Sequence, residues 1–151
     1  MDLPVIMMLS AASIILCISD FKSRSVSAQF LALYAIAAVV YGINMHGIYL
    51  TIVYSVVGGL LSVVMFLFIC GYYMLKEGID CTVIDKRIGK GDLYFFLFST
   101  FIFGPSELVI FYILSGISGL VYYGASKKDD IPLIGTTAPL IVLYIIIDNI
   151  F

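Results

Sequence analysis

Gly89-Lys90-Gly91-Asp92, running straight into Leu93-Tyr94-Phe95-Phe96-Leu97-Phe98-Ser99-Thr100-Phe101-Ile102-Phe103-Gly104-Pro105, is the stretch that decides the fold. From Asp92 to Pro105 there are 14 residues. As helix they extend about 21 Å, against a bilayer hydrocarbon core of roughly 30 Å. So short an apolar helix spans a membrane only if one end starts inside it. Gly89–Asp92 is therefore expected to dip below the surface, where irregular backbone is tolerated only in a wet or protein-enclosed cavity. Asp92 would then lie in a sheltered, hydrated pocket.

The rest of the chain explains why a bilayer is the solvent. Of its 151 residues, 62% are hydrophobic and 12% charged, and the mean hydropathy is +1.14. A soluble domain of this length carries about twice that fraction of charge. Six spans are expected in one domain over residues 1–151, an all-α polytopic membrane protein. They run Leu3–Ser19, Ala28–Asn44, Tyr49–Leu75, Leu93–Phe103, Leu108–Ala125 and Leu133–Ile147. All eight Lys and Arg fall in three clusters: Lys22 and Arg24; Lys76, Lys86, Arg87 and Lys90; Lys127 and Lys128. The positive-inside rule assigns these to the cytoplasm, which leaves both termini, His46 and Glu107 outside. The first apolar segment is not read as a cleavable signal, since its basic residues follow it rather than precede it.

Small residues four apart permit close approach of spans: Ala38 and Gly42, Ser55 and Gly59, Gly58 and Ser62, Ser115 and Gly119. The polar segment 76–90 contains a β-branched stretch, Cys81–Ile84, that is compatible with a brief extended piece. Cys17, Cys70 and Cys81 form no CxxC, so neither disulfide nor zinc is indicated, and Cys17 and Cys70 read as small buried side chains.

Two aspartates carry the chemistry. Asp20 closes the first span beside Lys22 and Arg24. Alone, it reads equally well as an interfacial carboxylate facing water. Asp92 alone reads as a helix N-cap, with the glycines before it permitting the turn. Together they change the reading, because both sit at cytoplasmic span ends and one heads the short span. Two carboxylates within a few ångströms do not both ionise easily, so one keeps a proton. The ionised member can take a proton from water while the protonated member donates to a carbonyl oxygen, which is metal-free peptide hydrolysis.

Competing chemistries fail on placement. Gly116-Ile117-Ser118-Gly119 looks like the GxSG of membrane serine proteases, but their histidine comes from a later span. The single histidine here, His46, precedes it, so Ser118 reads as a packing residue. Cys81 has no histidine on its side, and no HExxH occurs. Glu77, Asp80, Asp85, Asp129 and Asp130 are acids on cytoplasmic loops. They either attract a basic peptide, with Asp80 and Asp85 as candidate substrate-binding residues, or simply balance nearby cations.

An aspartate closing the first span, basic residues after it, and GxGD opening a later span together resemble the type IV prepilin peptidases, GxGD-type aspartic proteases of the bacterial inner membrane. The resemblance covers essentially the whole chain. It makes Asp20 and Asp92 the catalytic pair, with Gly89 and Gly91 as supporting motif residues. Ile131-Pro132-Leu133 with Gly135 resembles the family's Ile-Pro-aromatic-Gly segment before the last span. The chain departs from the pattern at Val26-Ser27-Ala28, where Ile-Pro-Asn is common, and at Tyr94, where Lys is common. The methyltransferase-linked CxxC region of the longer members is not found, so the resemblance implies cleavage alone, as in the short enzymes of tight-adherence (Flp-type) pili.

By that resemblance the partner is a prepilin or pseudopilin with a short basic leader, a glycine before the cut and an apolar helix after it, alongside the lipid bilayer and pilus or secretion machinery. No cofactor, metal or nucleic acid is expected. The rival reading is a small membrane carrier or assembly component in which Asp20 and Asp92 bind protons or cations.

Overall fold

The computed structural model describes residues 3–23, 26–77, 89–126 and 132–150. Over these residues the chain is helical: α1 (Leu3–Ser23), α2 (Ala28–Glu77), α3 (Lys90–Ser99), α4 (Pro105–Ser126) and α5 (Leu133–Ile150). Among the described residues three helices are long and apolar enough to cross a membrane: Leu3–Lys22, the 44-residue stretch Ala28–Gly71, and Pro105–Ser126. The Cys81–Ile84 stretch lies outside the described residues.

The expected second and third spans are one element, α2, broken at Gly47, whose backbone (φ 77°, ψ 162°) lies outside the helical range. Positive φ is cheap only for glycine, so one residue suffices and no separate loop forms. The break reverses the chain sharply. A Cβ on Gly42 would lie 3.1 Å from Thr51 Cγ2, whereas a straight helix would hold these two positions about 13 Å apart along its axis. Thr51 Oγ1 donates to the Gly47 carbonyl at 2.8 Å and secures the corner. His46, expected in an outer loop, is the last residue before this corner and bonds the Ile102 carbonyl through Nε2 at 3.2 Å.

The short span is shorter than its apolar run. α3 covers 10 residues, about 15 Å, and the chain then tightens into i→i−3 bonds from Thr100, Phe101 and Ile102. Pro105 occupies the first position of α4, where its missing N–H costs nothing. Glu107 reaches back with Oε2 to the Gly104 amide at 3.0 Å, one half of a capping box.

α1 packs chiefly on α5 and then on α2; α3 lies against α2, and α4 against α5. Leu9, Leu16, Tyr34, Tyr41, Phe95, Ile102, Leu108, Ile134 and Ile141 fill the centre. Tyr34 stacks on Phe95 with ring centroids 5.0 Å apart, and its hydroxyl meets Ser99 Oγ at 2.8 Å. Two of the small-residue pairs do allow close approach. A Cβ at Gly42 would collide with the Phe101 carbonyl, and one at Gly58 would lie 2.9 Å from Thr100 and Leu108. Leu67, Phe68, Leu75, Leu120 and Val121 are exposed, an outer surface suited to lipid rather than water.

Candidate active site

The site forms at the start of α5. The first amides of a helix have no intrahelical acceptor. In α5 the first bond within the turn runs from the Thr136 amide to the Pro132 carbonyl at 3.0 Å, so Ile134 and Gly135 keep free N–H groups. Both go to carboxylates. The Gly135 amide donates to Asp20 Oδ2 at 2.7 Å, and the Ile134 amide bonds Asp92. Negative charge at a helix N-terminus is favoured by the helix dipole as well as by the hydrogen bonds.

Asp20 lies in the last turn of α1, which continues past the expected end at Ser19 to Ser23. It is buried, 7% exposed, and does not face bulk water as the interfacial reading would have it. Gly135 is what lets it approach. A Cβ there would lie 2.9 Å from Phe21 Cε2 and 3.3 Å from Asp20 Oδ2.

Asp92 is not the N-cap of its helix. Gly89 holds that position, with extended backbone, and Asp92 stands three residues on, at N3. Its side chain reaches back to the Gly89 backbone, the acid half of a capping box. The glycine fits this contact, since a Cβ at Gly89 would come within 3.1 Å of Asp92 Oδ2. Gly91 has more room: a Cβ there would meet Ile134 Cδ1 and Val26 Cβ at 3.7 Å, ordinary contact.

Asp92 precedes the apolar run of α3 and lies outside the three long apolar stretches. Burial, and then the charge of Asp20, raise its carboxyl from 3.8 to about 6, opposed by the hydrogen bonds from Gly89 and Ile134. The two carboxylates therefore feel each other and share one helix end. Such a pair holds a proton into the range where free carboxyls have lost theirs.

Asp80 and Asp85 lie outside the described residues, as do Asp129 and Asp130. Ser118 spends its hydroxyl on the Ser115 carbonyl at 2.8 Å, a packing arrangement. Among the described residues no group of three or more His, Cys, Asp or Glu side chains is arranged to hold a metal ion.

Three contributors to the site were not anticipated. The Ile134 amide carries no side-chain signature. Cys17, read as a small buried side chain, is half-buried and directs Sγ to the Gly135 carbonyl at 3.3 Å. Its spacing, three residues before Asp20 on one helix face, was the available signal. Phe21 covers Gly135 and makes a tilted ring contact with Tyr122 at 5.9 Å.

At the opposite end of the bundle, Glu107 Oε2 also accepts from Tyr144 at 3.0 Å, tying the start of α4 to α5.

The family model described as the type IV leader peptidase family matches residues 7–124, a range that includes both aspartates. Neither a curated protein nor a solved structure matches the chain.

Proposed function

Since the chain belongs to the type IV leader peptidase family, we propose that it is a prepilin peptidase that removes the short basic leader of type IV, Flp/Tad-type, prepilins, using Asp20 and Asp92 to activate water. One observation carries this reading: the two carboxylates converge on the consecutive amides of Ile134 and Gly135.

The chemistry follows from a pair that shares a proton. The ionised carboxylate accepts a proton from water as the oxygen attacks the scissile carbonyl carbon. The protonated carboxyl, assigned to Asp92 from its raised pKa, donates to the carbonyl oxygen. Collapse of the tetrahedral species breaks the C–N bond, and the departing amine takes a proton from the pair. The amides of α5 fix the orientation of both groups without supplying chemistry of their own.

The same reading gives α2 two passages, one on each side of Gly47, because 44 residues of apolar helix would extend about 66 Å, roughly twice a hydrocarbon core. With α1, the apolar run Leu93–Phe103, α4 and α5 that makes six spans, both termini outside, and the aspartates at the cytoplasmic face of the inner membrane, where a basic leader resides. The three Lys and Arg clusters support that orientation.

The test is co-expression of a prepilin with the wild type, Asp20→Asn or Asp92→Asn, comparing pilin length on a gel and enzyme level in membranes. Both variants are expected to insert normally and leave the leader attached. Normal trimming by either one removes the two-aspartate mechanism.

A further inference from the structure

A groove of about 210 Å³ runs beside the site, between the second arm of α2, α3 and α4. Ser62, Phe66, Phe96, Tyr112, Ser115 and Leu133 line it. One of its lining residues, Leu133, immediately precedes the two amides that hold the aspartates. Met65 and Ile69, on its rim, are exposed, so the groove opens sideways toward the lipid-facing surface.

Two features distinguish it from a packing defect. First, its walls carry small residues, Ser62 and Ser115 with Gly116, and small residues are what let a further helix approach closely in a membrane. Second, it contains a hydroxyl with nothing to bond. Ser115 is 2% exposed and its Oγ has no hydrogen-bond partner. The neighbouring Ser62 Oγ, by contrast, bonds both the Gly58 carbonyl and the Tyr112 hydroxyl. A buried, unpaired hydroxyl is costly and calls for an explanation. A lipid acyl chain has no group with which to satisfy it. An apolar helix bearing a polar group on its inner face does.

We propose that this groove seats the apolar helix of the substrate, with Ser115 Oγ hydrogen-bonding a polar group on the first turns of that helix. The inference rests on the peptidase reading and adds where the substrate lies. Phe96 is one helical turn, about 6 Å along α3, beyond Asp92, and Leu133 adjoins the amides that hold the carboxylates, so the groove leads away from the pair. A helix in it brings the residues just before its first turn to the aspartates.

The test uses two synthetic probes. One has a short basic leader, a junction glycine and an apolar helix of about 20 residues; the other stops a few polar residues past the junction. Ser115→Ala removes a hydroxyl that bonds nothing in the free protein, so thermal stability is expected to hold or rise. KM for the helix-bearing probe should rise about fivefold, the loss of one ordinary hydrogen bond. Gly116→Leu blocks the groove from a position where a Cβ meets nothing within 4 Å. It should raise that KM tenfold or more, with kcat and the short probe unchanged. Equal effects on both probes, or none on either, overturn the proposal.

Binding is read separately from cleavage in the Asp92→Asn protein. A photoreactive side chain at Met65 should capture the helix-bearing probe, and one at exposed Leu60 should not. Capture of lipid alone from Met65, or equal capture of the probe from both positions, overturns the proposal. Capture at Met65 without any cleavage by the wild type leaves the seat standing and removes the peptidase reading instead.

Discussion

Gly135→Ala tests whether the amide at the start of α5 sets the geometry of the carboxylate pair. The added methyl would lie 2.9 Å from Phe21 Cε2, closer than a Cβ normally approaches any atom, and 3.3 Å from Asp20 Oδ2. The Phe21 ring is 47% exposed and can swing away, so the helices survive. The carboxylate must still yield by a few tenths of an ångström, and it is the partner of the 2.7 Å bond from the Gly135 amide. A hydrogen bond to a charged group contributes about 1.5–3 kcal/mol, and misplacing a reacting group by about 1 Å costs on the order of a hundredfold in rate. Trimming by Gly135→Ala is therefore expected to slow between about tenfold and a hundredfold, measured as single-turnover rate constants on a purified prepilin in detergent micelles. Gly124→Ala, where a Cβ meets nothing within 4 Å, should trim at the wild-type rate. A Gly135→Ala protein as fast as the wild type, with the same melting temperature, would refute the role given to this amide.

Raising the pH should slow the reaction. Asp92 keeps its proton to about 6, so the acid form falls roughly tenfold per pH unit above that, and at pH 7 about a tenth remains. A profile still climbing between pH 6 and 8 would defeat the assignment of Asp92 as the proton donor. The same shift makes Asp92 a liability for folding. Its native carboxyl binds protons more tightly than the unfolded one, so stability is highest below about 4 and declines as pH rises from about 4 to 6. Asp92→Asn should consequently melt higher than wild type at pH 7.5, although it cleaves nothing; a lower melting temperature would contradict the linkage. Gly42→Ala, whose Cβ collides with the Phe101 carbonyl, should cut the yield of folded protein, with a wild-type melt in detergent as the refuting result. Tyr34→Phe removes the buried 2.8 Å bond to Ser99 and should cost about 1 kcal/mol, seen as a lower midpoint in denaturant.

What the sequence could announce was decided by which atoms carry the signal. The apolar runs set the helices: among the described residues five elements cover the expected spans, the second and third sharing α2. Their ends moved where backbone chemistry, not hydropathy, decides. α1 continues through Asp20 because nothing after Ser19 breaks a helix and a buried N–H donor on α5 awaits the carboxylate. α3 stops at Ser99 although the apolar run continues to Phe103, because the chain there switches to i→i−3 bonds. Hydropathy does not distinguish the two. The Gly47 corner falls in the gap expected between a span ending at Asn44 and one beginning at Tyr49; a single positive φ did the work of a loop.

The same distinction separates the legible half of the site from the hidden half. Asp20 and Asp92 were visible because carboxylates at the ends of apolar helices need a reason to exist. The partners that supply that reason are backbone amides, and every residue except proline has one. Neither amide of Ile134 and Gly135 could be marked as special until α5 was seen to begin where α1 ends and α3 starts. The cap assignment of Asp92 failed for a related reason. A glycine in extended conformation also starts a helix, which leaves the carboxylate three residues on, free to answer to Gly89 and Ile134 together. Had Asp92 stood at the N-cap, its oxygen would have turned to its own helix. At N3 it also faces α5, and that displacement is what brings it within reach of Asp20.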